Sequence, residues 1–274
     1  MVIVRLRGRM GNQMFQYAFG RHLSIMRKEE LLVETSGLQR PGQEHRQLEL
    51  NNFRCPFGIT SMEAILNNSR VACFVRQCTR GFHPEALSLA MRGTIILEGF
   101  WQDENYFKSI RETLLDDFTF RDEGTFEQHD LARQVTTTES VCIHVRRTDY
   151  LLPQRSGLRV LEVDYYKSAV EAMASRVRNA HFYIFSDDIE WSIANLTFFK
   201  NDHTFIKHAV QSERAAFDLY LMTRCKHFII ANSTYSWWGA WLARHAGKQV
   251  IAPQRWFGKV GPPETPIPSN WIAF

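Results

Sequence analysis

The run Val141-Cys142-Ile143-His144-Val145-Arg146-Arg147-Thr148-Asp149-Tyr150 sets an imidazole, two guanidinium groups and a carboxylate at the end of a short apolar stretch. Such a stretch reads as a buried parallel strand, and in open α/β sheets ligands bind beyond the carboxyl ends of strands. Two arginines there suit a phosphorylated ligand. Each stays protonated and forks onto phosphate oxygens through charge-assisted hydrogen bonds worth about 1.5–3 kcal/mol each. Side chains alternate along a strand, so His144 and Arg146 share one face and Arg147 takes the other. Arg146 is expected on the phosphates and Arg147 against a buried carboxylate; the alternative is a pair of ordinary surface ion pairs.

Two more apolar runs end in polar groups, Ser186-Asp187-Asp188 and Asn232-Ser233-Thr234, the latter just before an aromatic helix. Three strand ends of this kind converging on one crevice signal a ligand site more strongly than any one of them. Ser233 and Thr234 at a helix start suit phosphate oxygens through their hydroxyls and the helix dipole, and equally suit simple capping. Adjacent Asp187 and Asp188 point opposite ways, which favours one ligand-facing carboxylate and one cap over a metal pair. Glu162-x-Asp164 is the nearest approach to an acidic metal triplet, and Asp164 reads better as a helix N-cap. Asp218 lies in the apolar helix Phe217 to Met222 and is costly unless paired: it is a helix-face carboxylate or a reader of a base's NH donors. Trp237, Trp238 and Trp241 read as core in preference to a sugar platform.

In the first half, Arg7-Gly8-Arg9-Met10-Gly11-Asn12-Gln13 separates a strand from a helix, either as an ordinary turn or as an anion-holding loop; its spacing matches neither GxGxxG nor a Walker loop. Glu98-Gly99-Phe100-Trp101-Gln102-Asp103 is an aromatic and acidic corner that either stacks a sugar and accepts its hydroxyl hydrogens or packs on the core.

The elements that position these groups follow from periodicity. Val2 to Leu6 and Leu31 to Val33 read as strands around a helix marked by Phe15, Ala18, Phe19, His22, Leu23 and Met26. A loop with Pro41-Gly42 follows, then a capping box at Thr60 and Glu63 and strands at Val71 to Val75 and Thr94 to Leu97. Polar stretches around Arg121 to Gly124 and Thr136 to Glu139 flank a short segment, and the domain boundary is expected there, giving domains 1–135 and 136–274. Beyond it, strands at 140–145, 181–185, 204–207, 228–231 and 249–252 alternate with helices at 163–177, after Asp188, at Glu213 to Arg224 and at 236–245, with Gly247 as a C-cap. That alternation predicts an α/β, doubly wound parallel sheet. The tail from Pro253, with Pro262, Pro263, Pro266 and Pro268, reads as an irregular strap.

Bulk properties narrow the function. Of 274 residues, 45% are hydrophobic, enough for one large or two ordinary domains. A net charge of +4 without clustered Lys/Arg runs suits an anionic small molecule and argues against nucleic acid. Five scattered cysteines with no CxxC spacing argue for a reducing compartment and against disulfides or structural zinc. The N-terminal apolar stretch is too short for a signal peptide or membrane span, so a cytoplasmic protein is expected, with at most peripheral contact at the inner membrane face.

Taken together, GRMGNQMFQYA, HVRRTDY, FSDD and DLYLMTRCKHFIIANSTYSWWGAWL, in this order across most of the chain, resemble the bacterial α-1,2-fucosyltransferases, the family that includes the animal blood-group H enzymes. HVRRTD and the aspartate opening the last motif are also similar to the core α-1,6-fucosyltransferases. The resemblance implies a GT-B-like α/β architecture of two Rossmann-like domains facing a cleft, an acceptor-side N-terminal domain and a donor-binding C-terminal one. It implies GDP-L-fucose as co-substrate, a galactoside oligosaccharide or lipid-linked glycan as acceptor, inversion, no metal and no other cofactor. By position it implies that Arg146 neutralises the pyrophosphate, His144 and Asp218 hold guanosine, and Ser233 or Thr234 contacts phosphate. Arg147, Ser186, Asp187 and Asn232 complete the donor set, and Asn12 and Gln13 help close the site. Arg7 and Arg9 depart from the smaller or apolar residues common in relatives. The acceptor's proton needs a base, for which Asp149, Asp103, Glu98 and His22 are candidates and Asp149 is preferred. Rival readings are a protein O-fucosyl or α-1,6 enzyme and a non-catalytic carbohydrate-binding protein.

Overall fold

The N-terminal apolar run pairs on both sides, as a central strand must. β1 (Val2–Arg5) leads into α1 (Met10–Arg27) and β2 (Leu31–Glu34), followed by β3 (Gly58–Thr60), α2 (Met62–Asn68), β4 (Ala72–Arg76), β5 (Thr94–Glu98) and α3 (Arg111–Asp117). These strands form a parallel sheet in the order β3-β2-β1-β5-β4. The computed structural model describes residues 1–39, 46–68, 72–87, 93–152, 158–207, 214–257 and 266–274. Pro41, Gly42, Val71, Glu213, Pro262 and Pro263, which entered the sequence reading, lie outside them. The apolar stripe of α1 (Met14, Phe15, Ala18, Phe19, Leu23) is fully buried, and the helix stops at Lys28, whose φ of 55° is left-handed. Ser61 caps α2, its hydroxyl accepting from Ala64 N at 3.2 Å, because Thr60, the expected cap, is the last residue of β3.

Contacts divide the chain between Arg121 and Asp122, not at 135/136. The reason is that α4 (Glu123–Glu127) and α5 (Asp130–Thr137) pack on a helix some ninety residues later, α8 (Arg214–Arg224). Phe126 meets Phe217 and Tyr220 at 5.2 and 5.3 Å, and Arg224 pairs with Glu123 at 2.6 Å. Between them run β6 (Glu139–Val145), α6 (Val163–Ala174), β7 (Ala180–Ser186), α7 (Ile189–Asn195) and β8 (His203–Phe205). After α8 come β9 (His227–Ile229), α9 (Thr234–Leu242), β10 (Val250–Ala252) and β11 (Ile272–Ala273).

The second sheet is also parallel, in the order β11-β10-β9-β6-β7-β8, the strand order of a Rossmann dinucleotide-binding fold. Its winding reverses between β6 and β9; in the first sheet the chain crosses from β3 to the far edge at β4 and steps back to β5 beside β1. Such switch points are where open α/β sheets take ligands. Three local expectations are corrected here. The tail is not wholly irregular, because β11 adds a strand to β10. Helix α6 starts at Val163 on an N-cap of Glu162, which leaves Asp164 in its first turn. Helix α9 ends at Leu242, five residues before Gly247.

The faces of β6 divide as alternation requires. Val141, Ile143 and Val145 pack with Tyr166, Ala169, Val170 and Met173 of α6, while His144 turns to Tyr235 of α9, ring centroids 5.7 Å apart. Trp237, Trp238 and Trp241 are buried in the core, not presented to a sugar.

Candidate active site

The carboxyl ends of β6 and β9 meet at the second unit's switch point. His144 there is 4% exposed, and its Nδ1 has no hydrogen-bond partner. Burial and the neighbouring Arg146 charge push its pKa down to about 3 against the pull of Asp187, so the ring is neutral. A buried polar atom left open at a switch point is the mark of a group waiting for a ligand. Ser233, 7% exposed, is the N-cap of α9, yet its hydroxyl makes no cap hydrogen bond and no acid lies in the helix's first turn. Capping, the simpler reading of Ser233, is thus not realised, and the positive end of the dipole carries no counter-charge from its own first turn. Thr234 follows, half-buried, as the first helical residue. Asp218 is buried on α8, and its charge is felt at Cys142, on the His144 face of β6.

Arg146 stays at this edge, with Nη2 at 2.7 Å from Asp149 Oδ1 and Nε at 3.3 Å from Asp187 Oδ2. Arg147 crosses to the other face, where its guanidinium lies 3.6 Å from the Trp191 ring centroid and 3.9 Å from Asp188. The carboxylate partner was legible in the sequence; the tryptophan stack was not, since nothing in the spacing joins position 147 to 191.

Several expected donor contacts instead hold the loops that shape the site. Asp187 accepts from Arg147 N (2.9 Å), Thr148 N (3.2 Å) and Thr148 Oγ1 (2.6 Å), which fixes the turn after β6. Ser186 Oγ accepts from Asp188 N and from Ser192 Oγ, both at 2.9 Å. Asp188 caps α7 through Trp191 N at 3.2 Å. Asn232 gives its amide hydrogens to Arg159 O (2.8 Å) and Trp256 O (2.9 Å), keeping only a buried Oδ1 open. In the first unit Gln13 is fully buried, donating to Gly8 O (3.2 Å) and Gln47 O (2.8 Å) and accepting from Glu49 N (2.9 Å). Its amide is spent as a clasp, because the loop it bridges has no strand to hold it.

The carboxyl ends of β1 and β5 in the first unit are filled differently. Glu98, 3% exposed, pairs with Arg5, with Arg7 at 3.3 Å and with Arg76 at 2.7 Å, while Arg5 also reaches Glu34 at 3.0 Å. Burial alone would raise the Glu98 pKa, but the Arg76 hydrogen bond and the three guanidinium charges hold it below the usual carboxylate range, which suits it poorly as a base. The start of α1 is occupied too, since Met10 N donates to the Glu49 carboxylate. Gly8 is required in this loop: its φ is +83°, and a Cβ would lie 2.4 Å from Asn12 Nδ2. Asn12 Oδ1 in turn accepts from Gln102 Nε2 at 2.8 Å. His22 Nε2 lies 3.1 Å from Ser109 Oγ, and its Nδ1 donates to Tyr106 O.

Among the described residues one group could bring metal-ligating atoms together: Glu139, His227 and His245, at the amino-terminal edge of the second sheet. The tautomer opposes it. His227 Nδ1 accepts from Gln249 N at 3.1 Å, so the ring proton sits on Nε2 and is given to Glu139 at 3.0 Å, leaving no lone pair for an ion.

Two parallel Rossmann-like sheets, the second with an open switch point, define a double-Rossmann α/β architecture. The solved structure of NodZ α-1,6-fucosyltransferase soaked with GDP-fucose superposes at a TM-score of 0.57 and 14% identity, over 88% of this chain and 92% of that one. POFUT1 in complex with GDP-fucose gives 0.51 and 11%, over 91% and 97%. These likenesses establish a GT-B-like fold. The model of glycosyl transferase family 11 matches residues 1–259, and the chain belongs to that family. Relatives include an α-1,2-colitosyltransferase of Escherichia coli, 32% identical over 99% of this chain and 98% of its own. The O-antigen biosynthesis glycosyltransferase WbnK of Escherichia coli is 31% identical over 92% and 93%. A galactoside α-(1,2)-fucosyltransferase 1 of Saimiri boliviensis boliviensis is 29% identical over 65% of this chain and 51% of its own. No helix among the described residues is long and apolar enough to cross a membrane.

Proposed function

We propose that the chain transfers L-fucose from GDP-β-L-fucose to the 2-hydroxyl of a terminal β-galactoside, with inversion and without a metal, on a glycan met in the cytoplasm or at the inner membrane face. The observation that carries this reading is the second switch point, where Arg146, a neutral His144 with an open Nδ1 and the uncapped start of α9 come together. Departure of GDP concentrates negative charge on the diphosphate. A guanidinium stays charged throughout and strengthens its hydrogen bonds as that charge grows, and the helix start adds a fixed positive dipole. Ser233 and Thr234 supply hydroxyl donors, and His144 with Asp218 offers neutral and acidic hydrogen-bonding groups to guanosine.

The roles first given to Arg146 and Asp149 do not fit one inverting displacement. The acceptor oxygen attacks from the face opposite the leaving diphosphate, so the proton acceptor belongs on that face. Asp149 lies 2.7 Å from the guanidinium assigned to the diphosphate, on the leaving-group side. Asp149 therefore orients Arg146.

A second donor has support in the relative 32% identical over nearly the whole chain, a colitosyltransferase; colitose is fucose without its 3-hydroxyl. The test is to incubate the protein with GDP-fucose or GDP-colitose and a panel of β-galactosides, with EDTA, and to assign the product by NMR. The expected product is an α-1,2-linked sugar on galactose with stoichiometric GDP. Transfer of neither sugar, or another linkage, overturns the reading; a higher kcat/KM for GDP-colitose selects the second donor.

A further inference from the structure

Tyr150 closes the run that carries Arg146 and joins two elements of the second unit's switch point. The pairing of β6 with β9 ends at Ile143 and Ile229, so Arg146 and Asn232 each lie three residues past the last pair, where no ladder sets their spacing. A single 3₁₀ turn, Thr148–Leu151, brings Tyr150 back over the end of β6, with Tyr150 N and Leu151 N donating to Arg147 O at 3.0 and 3.1 Å. The turn sets the Arg146 guanidinium carbon over the Tyr150 ring, 5.8 Å from its centroid, inside the range of a cation–π contact.

The far end of the same side chain reaches the other strand. The Tyr150 hydroxyl donates to Asn232 O at 2.8 Å. Asn232 is 1% exposed and directly precedes Ser233, the N-cap of α9. The peptide that joins these two residues is held from both sides, since Ser233 N donates to Ala231 O at 2.7 Å. The Asn232 amide is fixed as well, by Arg159 O and Trp256 O. A phenol is rigid from ring to hydroxyl, so a ring against the guanidinium and a hydroxyl on the peptide before α9 set the distance between them.

Arg147 shows by contrast what this contact does. Its guanidinium is stacked closely on Trp191, 3.6 Å from the ring centroid. Arg146 has the looser ring contact, two carboxylates at its edge, Asp149 at 2.7 Å and Asp187 at 3.3 Å, and a side chain still 18% exposed. The two ion pairs refer Arg146 to the ends of β6 and β7, and Tyr150 refers it to the start of α9. Two positive groups that serve one diphosphate must keep their spacing before it arrives, because ordering them on binding costs affinity.

We propose that Tyr150 is a positioning residue for the diphosphate: it braces the Arg146 guanidinium against the start of α9 so that both meet one ligand. The proposal rests on the transferase reading above. Its test is a double-mutant cycle on GDP affinity, measured by calorimetric titration with EDTA present. Tyr150→Phe keeps the ring on Arg146 and removes the hydroxyl that reaches Asn232. The variant should melt close to the wild type while its Kd for GDP rises about fivefold, as loss of one hydrogen bond would give. A tyrosine that acts through the guanidinium loses its effect once the guanidinium is gone. Arg146→Ala/Tyr150→Phe should therefore bind GDP within about twofold of Arg146→Ala alone. A tyrosine that merely supports the fold costs the same factor in both backgrounds; that result overturns the brace, as does wild-type GDP affinity in Tyr150→Phe. Either outcome leaves the transferase reading in place, whereas a wild type that binds no GDP ends both.

Discussion

The two sheets differ in how the charges at their carboxyl edges are used. In each, a helix follows the carboxyl end of a central parallel strand, α1 after β1 and α9 after β9. In the first unit the buried charges there are spent within the protein: Glu98 and Glu34 hold the arginines of β1 and its neighbours, and Glu49 covers the start of α1. Gln16 Nε2 and Trp101 Nε1 of the first unit and His144 Nδ1 and Asn232 Oδ1 of the second are buried without hydrogen-bond partners, and the Ser233 hydroxyl caps nothing. Open polar atoms cost stability, and those of the second unit lie beside Arg146 and the uncapped start of α9, the groups proposed above to hold the diphosphate.

Five substitutions sharpen this contrast, and the first two set structure against chemistry. Glu98→Gln strips three arginines of their carboxylate and should destabilise the fold by about 3 kcal/mol, the lower end for a broken buried pair because Arg76 is open to water. Denaturant melts check this, with GDP affinity expected to be unchanged in the folded protein. Arg146→Ala should do the reverse. It leaves the melting curve near that of the wild type and lowers kcat by about 10²–10³-fold, the cost of one oxyanion-stabilising donor. Equal loss of stability in both variants would erase the distinction between the edges.

His144 gives a pH signature. The unfolded chain takes up this proton near pH 6.5 and the folded chain near 3, so the unfolded state binds more protons in between and acidification favours it. At pH 5 the loss is about 2 kcal/mol at roughly 1.4 kcal/mol per unit. His144→Gln should melt less steeply with falling pH between 6.5 and 4; an unchanged slope would mean the ring is not held neutral. The smallest effect separates two helix starts. Asp188→Ala removes a realised cap and should cost about 1 kcal/mol, whereas Ser233→Ala should leave stability unchanged within about 0.5 kcal/mol and weaken GDP severalfold.

How much of this was legible in the sequence depended on range. The strand before His144 showed as an apolar run, and alternation alone placed Arg147 on the face opposite His144, where it meets Asp188. Asp188 as a cap followed from its position after a strand. β3 escaped because Gly58-Ile59-Thr60 carries a single apolar side chain, and β11 because it is only two residues long. The boundary was displaced because α4 and α5 look like linker until α8 packs on them. The Glu98 network was hidden for the same reason, its partners Arg5 and Arg7 lying 93 and 91 residues away. Asp187 looked like a ligand because residue type cannot show that the turn after β6 has already taken both of its oxygens.

The central claim is that the second switch point is a diphosphate site built around Arg146. Calorimetric titration of GDP in the presence of EDTA tests it most directly. Saturable one-to-one binding by the wild type, retained by Glu98→Gln and weakened at least about tenfold by Arg146→Ala, is the predicted result. Binding of GDP by Arg146→Ala with wild-type affinity would contradict it.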